Sequence, residues 1–361
     1  MKIKTNKFDS FLGVSSGSGF YGYFHLLENT PDLYLYLIKS GPGCGKSSMM
    51  KEIAKIAIEK GESVELIHCS SDPDSLDGAI LWDRNVGFLD ATPPHAVEPS
   101  APGVAQDVVN LYHTIDRRKA SANKENILEQ NKTYKGFHKQ SASSLADASS
   151  LFKDTFFSAS AFYDKDKISK FGYDLAKKLI PEKPNAETGL KHLRFLSAAT
   201  PKGIIMYDES IQALANIIYA IEDEYGVCSN GIIETICNYA LNAGYDVFSC
   251  GCPLLPEEKI DFLIIPDLSL AFVTSNSWHK MNFKNQKLLD YNDFIDKAAL
   301  VNAQSQLDSN MNNAKQMVDQ AIKYQQQAMK GHDKLEEYYN PAVDFNKVNE
   351  IRESLIEEIF G

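Results

Sequence analysis

A lysine and a hydroxyl side by side, reached through three glycines in five residues, suit one task above others: holding a chain of phosphates. The stretch is Ser40-Gly41-Pro42-Gly43-Cys44-Gly45-Lys46-Ser47, with Ser48 following. Glycines let backbone N–H groups turn inward on an anion, and a helix N-terminus adds partial positive charge. Lys46 would neutralise the β and γ phosphates, and the Ser47 hydroxyl would face Mg²⁺. The match to G-x-x-x-x-G-K-[ST] departs only at its opening glycine, which is Ser40 here, with Gly41 beside it. A second candidate is Asp90, closing the apolar run Val86-Gly87-Phe88-Leu89. An acid at the end of a buried strand beside such a loop can hold the metal through its water shell. No glutamate follows Asp90, which points to slow hydrolysis or to a base from elsewhere. The segment Ser70-Ser71-Asp72-Pro73-Asp74-Ser75-Leu76-Asp77-Gly78 offers carboxylates that either orient an attacking water or only cap a turn. Asp72 is taken as its first candidate.

Certain elements must position these groups. Asp32–Ile38 reads as a buried strand, and Met49, Met50, Ile53, Ala54, Ala57 and Ile58 recur at helical spacing until Gly61 stops the helix. Strand, glycine loop and helix together are the context that a phosphate loop requires. Ser63–Cys69 and Val86–Asp90 read as further strands of a parallel sheet. Residues 10 to 24 read as a Gly/Ser entry loop leading into a short aromatic helix over Tyr21–Leu27.

From about Gln106 the composition turns to Lys, Asn, Gln, Ser and Ala, and Leu145, Ala148, Phe152, Thr155, Ala159 and Phe162 fall three and four apart. That spacing predicts a coiled-coil-like helical hairpin, closed by Pro181 and Pro184. The chain then repeats itself. An offset of 183 superposes Tyr36 on Tyr219, Ile38 on Ile221, Gly43 on Gly226, Ile53 on Ile236, Ala57 on Ala240, Gly61 on Gly244, Val64 on Val247 and Cys69 on Cys252. Chance composition would give roughly two identities in such a window. At this offset Lys46 falls on Ser229 and Ser47 on Asn230, and one residue further Asp90 falls on Thr274, so the copy has lost its phosphate chemistry. A second helical tail carries Leu307, Met311, Ala314, Val318, Ala321, Gln325 and Ala328 on one seam, which is expected to pack against the first hairpin.

These readings divide the chain into a nucleotide-binding domain (1–105), a helical hairpin (106–190), a degenerate copy (191–280) and a C-terminal hairpin (281–361). The fold class expected is α/β, a duplicated phosphate-loop domain whose parallel sheet is flanked by helices. The pairing of Gly41–Ser47 with His68-Cys69-Ser70-Ser71-Asp72-Pro73-Asp74-Ser75-Leu76-Asp77-Gly78 resembles a family of functionally uncharacterised bacterial ATPases built from two tandem P-loop NTPase halves. The resemblance spans nearly the whole chain and implies ATP as the nucleotide. It implies no substrate.

The net charge of -11 argues against a general nucleic-acid surface. No apolar run has the length of a membrane span, no signal-peptide core follows the basic N-terminus, and six cysteines form no disulfide framework, so a cytoplasmic protein is expected. Of five arginines, Arg194 opens the second half and is the candidate arginine finger. The function expected is Mg²⁺-dependent ATP binding with slow hydrolysis at the first loop, the second half regulating or completing the site. A small-molecule kinase and a non-catalytic ATP-gated adaptor, meeting a protein partner through its helical hairpins, are the alternatives.

Overall fold

A computed structural model describes residues 3–361. The chain is α/β and consists of two repeats of one plan. The first repeat contributes β1 (Lys7–Ser10), β2 (Gly13–Ser16), β3 (Gly19–Gly22), β4 (Tyr34–Lys39), α1 (Lys46–Glu59), β5 (Val64–His68), β6 (Leu76–Leu81), β7 (Val86–Asp90) and β8 (Gln106–Asn110). Its helical segment is α2 (Arg117–Ala122), α3 (Lys124–Ser160) and α4 (Lys165–Leu179). The second repeat contributes β9 (Lys191–Arg194), β10 (Ser197–Thr200), β11 (Gly203–Met206), α5 (Asp208–Leu214), β12 (Ile217–Glu222), α6 (Val227–Asn242), β13 (Val247–Gly251), β14 (Ile260–Ile265), β15 (Leu270–Ser275) and β16 (Lys287–Leu288). It ends in α7 (Lys297–Tyr339) and α8 (Phe345–Phe360).

The sheets run β1-β5-β6-β7-β4-β8 and β9-β13-β14-β15-β12-β16, the same order twice. Both are mixed, where a parallel sheet was expected. β6 lies antiparallel to β5 and β7, as β14 does to β13 and β15. The segment read wholly as a turn therefore turns only as far as Ser75. Leu76-Asp77-Gly78-Ala79-Ile80-Leu81 is a strand buried at all six positions, inserted between β5 and β7. Two edge strands also lie outside the expected elements: β1, in the basic N-terminal stretch, and β8, which carries the first sheet past residue 105. β16 likewise carries the second sheet past residue 280. Residues expected to form an entry loop are the hairpin β2–β3, followed by a 3-10 turn over Phe24–Asn29 rather than a helix from Tyr21.

The helical tails are not self-contained hairpins. α3 and α7 pair with each other in antiparallel sense: Asn310 Nδ2 donates to Asp154 at 2.9 Å, while Gly331 meets Gln130 and Tyr134. The anticipated seams are the ones buried. Leu145 and Ala148 of α3 join Ala314, Val318 and Ala321 of α7 in one apolar cluster. The shorter helices then cross over. α4, from the first repeat, packs on α6 of the second, with Ile168 and Ala176 in the same core as Ile232, Ile236 and Ala240. Gly172 permits the approach, because a Cβ there would sit 3.0 Å from Thr235 Cβ and 3.2 Å from the Ile232 carbonyl oxygen. α8, from the second repeat, returns to the first, where Val348 and Leu355 share a core with Met50, Ile53 and Ala57 of α1. Tyr36 donates to Glu358 at 2.7 Å and Arg84 donates to the Ile359 carbonyl at 2.5 Å.

The repeats meet at their β1 and β9 edges. Just past these strands, Phe11 and Phe195 exchange both backbone hydrogen bonds at 2.8 Å, an isolated bridge that ties the two edges together. An asymmetric ion pair crosses this seam. Arg194, 2% exposed, donates from Nε to Glu65 Oε1 at 2.6 Å and from Nη2 to Oε2 at 3.0 Å. Glu65 is fully buried and also accepts from the Ser10 hydroxyl at 2.6 Å. His192, beside this pair, is held neutral: burial and the Arg194 charge push its imidazole down to about 4, against smaller opposing pulls from Asp246 and Glu65.

Removing one partner of a buried pair leaves an uncompensated charge, so Arg194→Met should cost about 3–5 kcal/mol in denaturant unfolding, while Glu65→Leu combined with Arg194→Met should recover most of it. His192 gives the interface a pH dependence of definite sign. Above the unfolded histidine value the imidazole is neutral in both states. As pH falls toward 4 the unfolded chain takes up a proton that the folded chain refuses, so stability should drop by up to about 1.4 kcal/mol per pH unit. A His192→Phe variant should flatten that slope in unfolding curves recorded between pH 7 and pH 4.

Candidate functional site

The glycine-rich loop spans the gap between β4 and α1, at the carboxyl edge of its sheet. Gly43 and Gly45 take φ of +68° and +82°, a left-handed region that side-chain-bearing residues rarely adopt. Cys44 is buried beneath the loop, and Ser48 is exposed on the first turn of α1. Lys46, first residue of that helix, donates from Nζ to the Gly41 carbonyl at 3.0 Å and lies 3.5 Å from Asp90 Oδ2. Ser47 Oγ accepts from the Leu76 amide at 2.9 Å, tying the loop to the start of β6.

Asp90 ends β7, the strand beside β4, in register with Ile38. Its Oδ1 accepts from the Thr92 amide and hydroxyl at 3.0 and 2.5 Å, which leaves Oδ2 for Lys46. Because β6 runs antiparallel to β7 with Gly78 opposite Leu89, Asp77 arrives next to Asp90. His95 completes the cluster: ligand-capable atoms of Asp77, Asp90 and His95 all lie within 4.8 Å of one another. Asp77 Oδ1 is 3.4 Å from His95 Nε2, while its Oδ2 is buried without a partner. His95 Nδ1 is 2.8 Å from the Asp90 carbonyl oxygen, so this nitrogen carries the proton. Burial works against charge on His95, but Asp77 and Asp90 outweigh it and raise the imidazole above its ordinary value. Burial and Asp77 together raise the Cys69 thiol well above its usual range.

The structure thus brings Lys46 within 3.5 Å of Asp90, with Ser47 next to Lys46 on the first turn of α1. Asp72 is not brought to them: its two oxygens accept from the Asp74 amide at 3.3 Å and the Ser75 hydroxyl at 2.5 Å, inside its own turn. The carboxylate which that segment delivers is Asp77. Its signal lay in the pattern after the turn, where Leu76-Asp77-Gly78-Ala79 resumes strand character. Arg194 is not a finger either. Glu65 lies on β5, three strands from β4, about 14 Å away at ordinary strand spacing. The guanidinium is consumed there by the buried pair.

The second repeat carries different groups at the equivalent place, beside a cavity lined in part by Lys259, Asp261, Asn276 and His279. Its loop is shorter, since α6 begins directly after Gly226 (φ +74°), whereas two left-handed glycines separate β4 from α1. Asn230 takes over the structural duty of Ser47, accepting from the Ile260 amide at 2.8 Å. An offset of 184 matches Asp77 with Asp261 and His95 with His279, so both residue types persist while Thr274 replaces Asp90, but His279 Nε2 and Asp261 Oδ2 are buried without hydrogen-bond partners among the described residues. A different lysine has moved in. Lys259 forms a buried ion pair with Asp261 and lies against Gly226, where a Cβ would come within 2.1 Å of its Cε. Asp223, fully buried, accepts from the Ser229 amide at 2.9 Å, and its carboxyl is raised by burial. Among the described residues no helix is long and apolar enough to cross a membrane. Comparison with protein families, curated proteins and solved structures finds no match to this chain.

Lys259→Met would strand Asp261 in an apolar interior, and we expect a loss of about 3–5 kcal/mol in chemical denaturation. Lys259→Met together with Asp261→Leu should be far milder.

Proposed function

We propose that the first repeat is a P-loop nucleoside-triphosphatase site that binds Mg·ATP and hydrolyses it slowly, and that the second repeat is its degenerate structural partner. The observation that carries this reading is the set Lys46, Ser47, Asp90 and Asp77 at one edge of the first sheet, with a buried Asp77 oxygen lacking any partner. The loop amides and Lys46 would take the phosphates. The Ser47 hydroxyl and the Asp90 carboxylate are the hard oxygen donors that Mg²⁺ prefers. They fit that ion better than His95 does, whose Nδ1 is already committed to the Asp90 carbonyl. Magnesium, when bound, would neutralise charge on the β and γ oxygens. Asp77 would accept a hydrogen bond from an attacking water, in the role left open by the missing glutamate after Asp90. The resemblance to tandem P-loop ATPases points the same way, and six free thiols suit a cytoplasmic setting.

The adaptor alternative draws support from one contact, the end of α7 seated on the loop, since Gly43 N donates to Glu336 at 3.1 Å. A helix so placed can report occupancy with little turnover.

Calorimetric titration with Mg·ATP and Mg·GTP, paired with phosphate release, tests the reading. Wild type should bind ATP, and Lys46→Ala should weaken binding about 10- to 100-fold, the worth of one or more charge-assisted bonds. Asp77→Asn should spare binding and slow phosphate release. If the wild-type protein binds neither nucleotide, the loop is a structural relic.

A further inference from the structure

The loop proposed to bind phosphate already holds an anion, and that anion is part of the chain. Glu336, in the last turn of α7, places Oε1 3.1 Å from the Gly43 amide nitrogen. Its neighbours complete the cover. The Asn340 side chain lies so close to Gly43 that a Cβ there would be 2.5 Å from its Oδ1, and Tyr339 reaches Gly41. With its amide turned, Asn340 also donates to the Gly43 carbonyl at 3.2 Å. These groups come from the second repeat, on a helix of 43 residues whose other end, at Leu307 and Met311, belongs to the core around α6.

The relic loop has no such cover. The chain re-enters each repeat at equivalent points, Asp164 capping α4 and Asp344 capping α8. Counted back from these caps, Glu336 corresponds to Phe156 and Asn340 to Ser160. Phe156 lies in the apolar core of the second repeat. A carboxylate from α7 therefore meets an amide of the loop that retains Lys46, whereas in the second repeat Asp223, within the loop itself, meets the Ser229 amide.

We propose that Glu336 is an autoinhibitory plug: its carboxylate stands in for a phosphate on the Gly43 amide, and a nucleoside triphosphate binds only by displacing the end of α7. The inference rests on the phosphate-binding reading of the loop. A phosphate group and Glu336 cannot accept from the same N–H, and two anions within a few ångströms repel. Because a ligand shifts an equilibrium by its differential affinity for two states, displacement of Glu336 is also what makes α7 responsive to the nucleotide. A coupling of this kind is reciprocal.

The test uses the full chain and Mg·ATP as probe. Glu336→Gln keeps the shape and removes the charge, and with Glu336 partly exposed it should leave the melting temperature nearly unchanged. Calorimetry should then show ATP binding about tenfold tighter than wild type. Hydrogen exchange should show residues 336–343 losing protection when wild type is saturated with ATP. Tighter binding by the variant, or binding by the variant alone, supports the plug. Unchanged affinity with slower phosphate release overturns it, and makes Glu336 part of the chemistry instead. Should neither wild type nor Glu336→Gln bind ATP while both melt normally, the phosphate-binding reading itself fails. That outcome is distinct from one in which both bind equally and only the plug is lost.

Discussion

Neither repeat can bury its own helix. α1 and α6 each sit on a sheet with one apolar face down, but each carries more apolar surface than its sheet covers, and the cover comes from the other repeat's tail. Val348 and Leu355 of α8 close the first core, and Ile168 and Ala176 of α4 close the second. Burial of apolar side chains is the largest favourable term in folding, so two repeats that complete each other's cores are bound to each other more firmly than by a docking seam. The crossing points are themselves pinned. Ile115 bridges Val343 where the chain leaves one sheet and re-enters it, and Tyr163 bridges Ile295 at the pseudo-equivalent place. From this exchange follow the pairing of α3 with α7, the separation of each short helix from its own repeat, and the seating of the end of α7 on the glycine loop.

Duplication with exchange lets the two loops differ in chemistry on one shared fold. What a phosphate loop needs for structure differs from what it needs for ligand. The structural part survives in the second repeat: one left-handed glycine at Gly226 and a side chain at Asn230 that receives the Ile260 amide. Lys46, Ser47 and Asp90 have no counterparts of the same type there, and Lys259, Asp261 and His279 line a cavity instead. Lys259 compensates Asp261, so the interior carries no bare carboxylate where Lys46 and Asp90 face each other in the first repeat. Buried charges are tolerated when paired.

Much of the first repeat was legible in the sequence because its signals are local. The strand–loop–helix unit, the placement of Asp90 and the seams of α3 and α7 each follow from periodicity within one window, and the duplication follows from an ungapped offset. What was illegible depends on contacts between distant segments. A stripe such as Ile168–Ala176 says that a face is buried, not what buries it, so the exchange of α4 and α8 left no mark. β6 escaped notice because Gly78 and Asp77 are turn-forming types, and only the neighbouring strands make Leu76–Leu81 a central strand. Glu65, Arg194 and Lys259 look like surface residues by type. Each is buried only because a partner from another element meets it.

The asymmetry between the repeats is concentrated in charged side chains on an otherwise symmetric frame. Arg194 corresponds to Ser10 and Glu65 to Phe248, so one ion pair sits across a seam where symmetry would have allowed two or none. Glu336 corresponds to Phe156, so α7 brings a carboxylate to one loop where α3 puts an apolar ring into the core of the other repeat. A symmetric frame holds two sites in fixed relation at low cost, since every backbone contact is used twice. Charges placed on one side only then make the two places chemically different: one sets Lys46, Asp90 and the Glu336 carboxylate around its loop, and the other sets the Lys259–Asp261 pair beside a cavity.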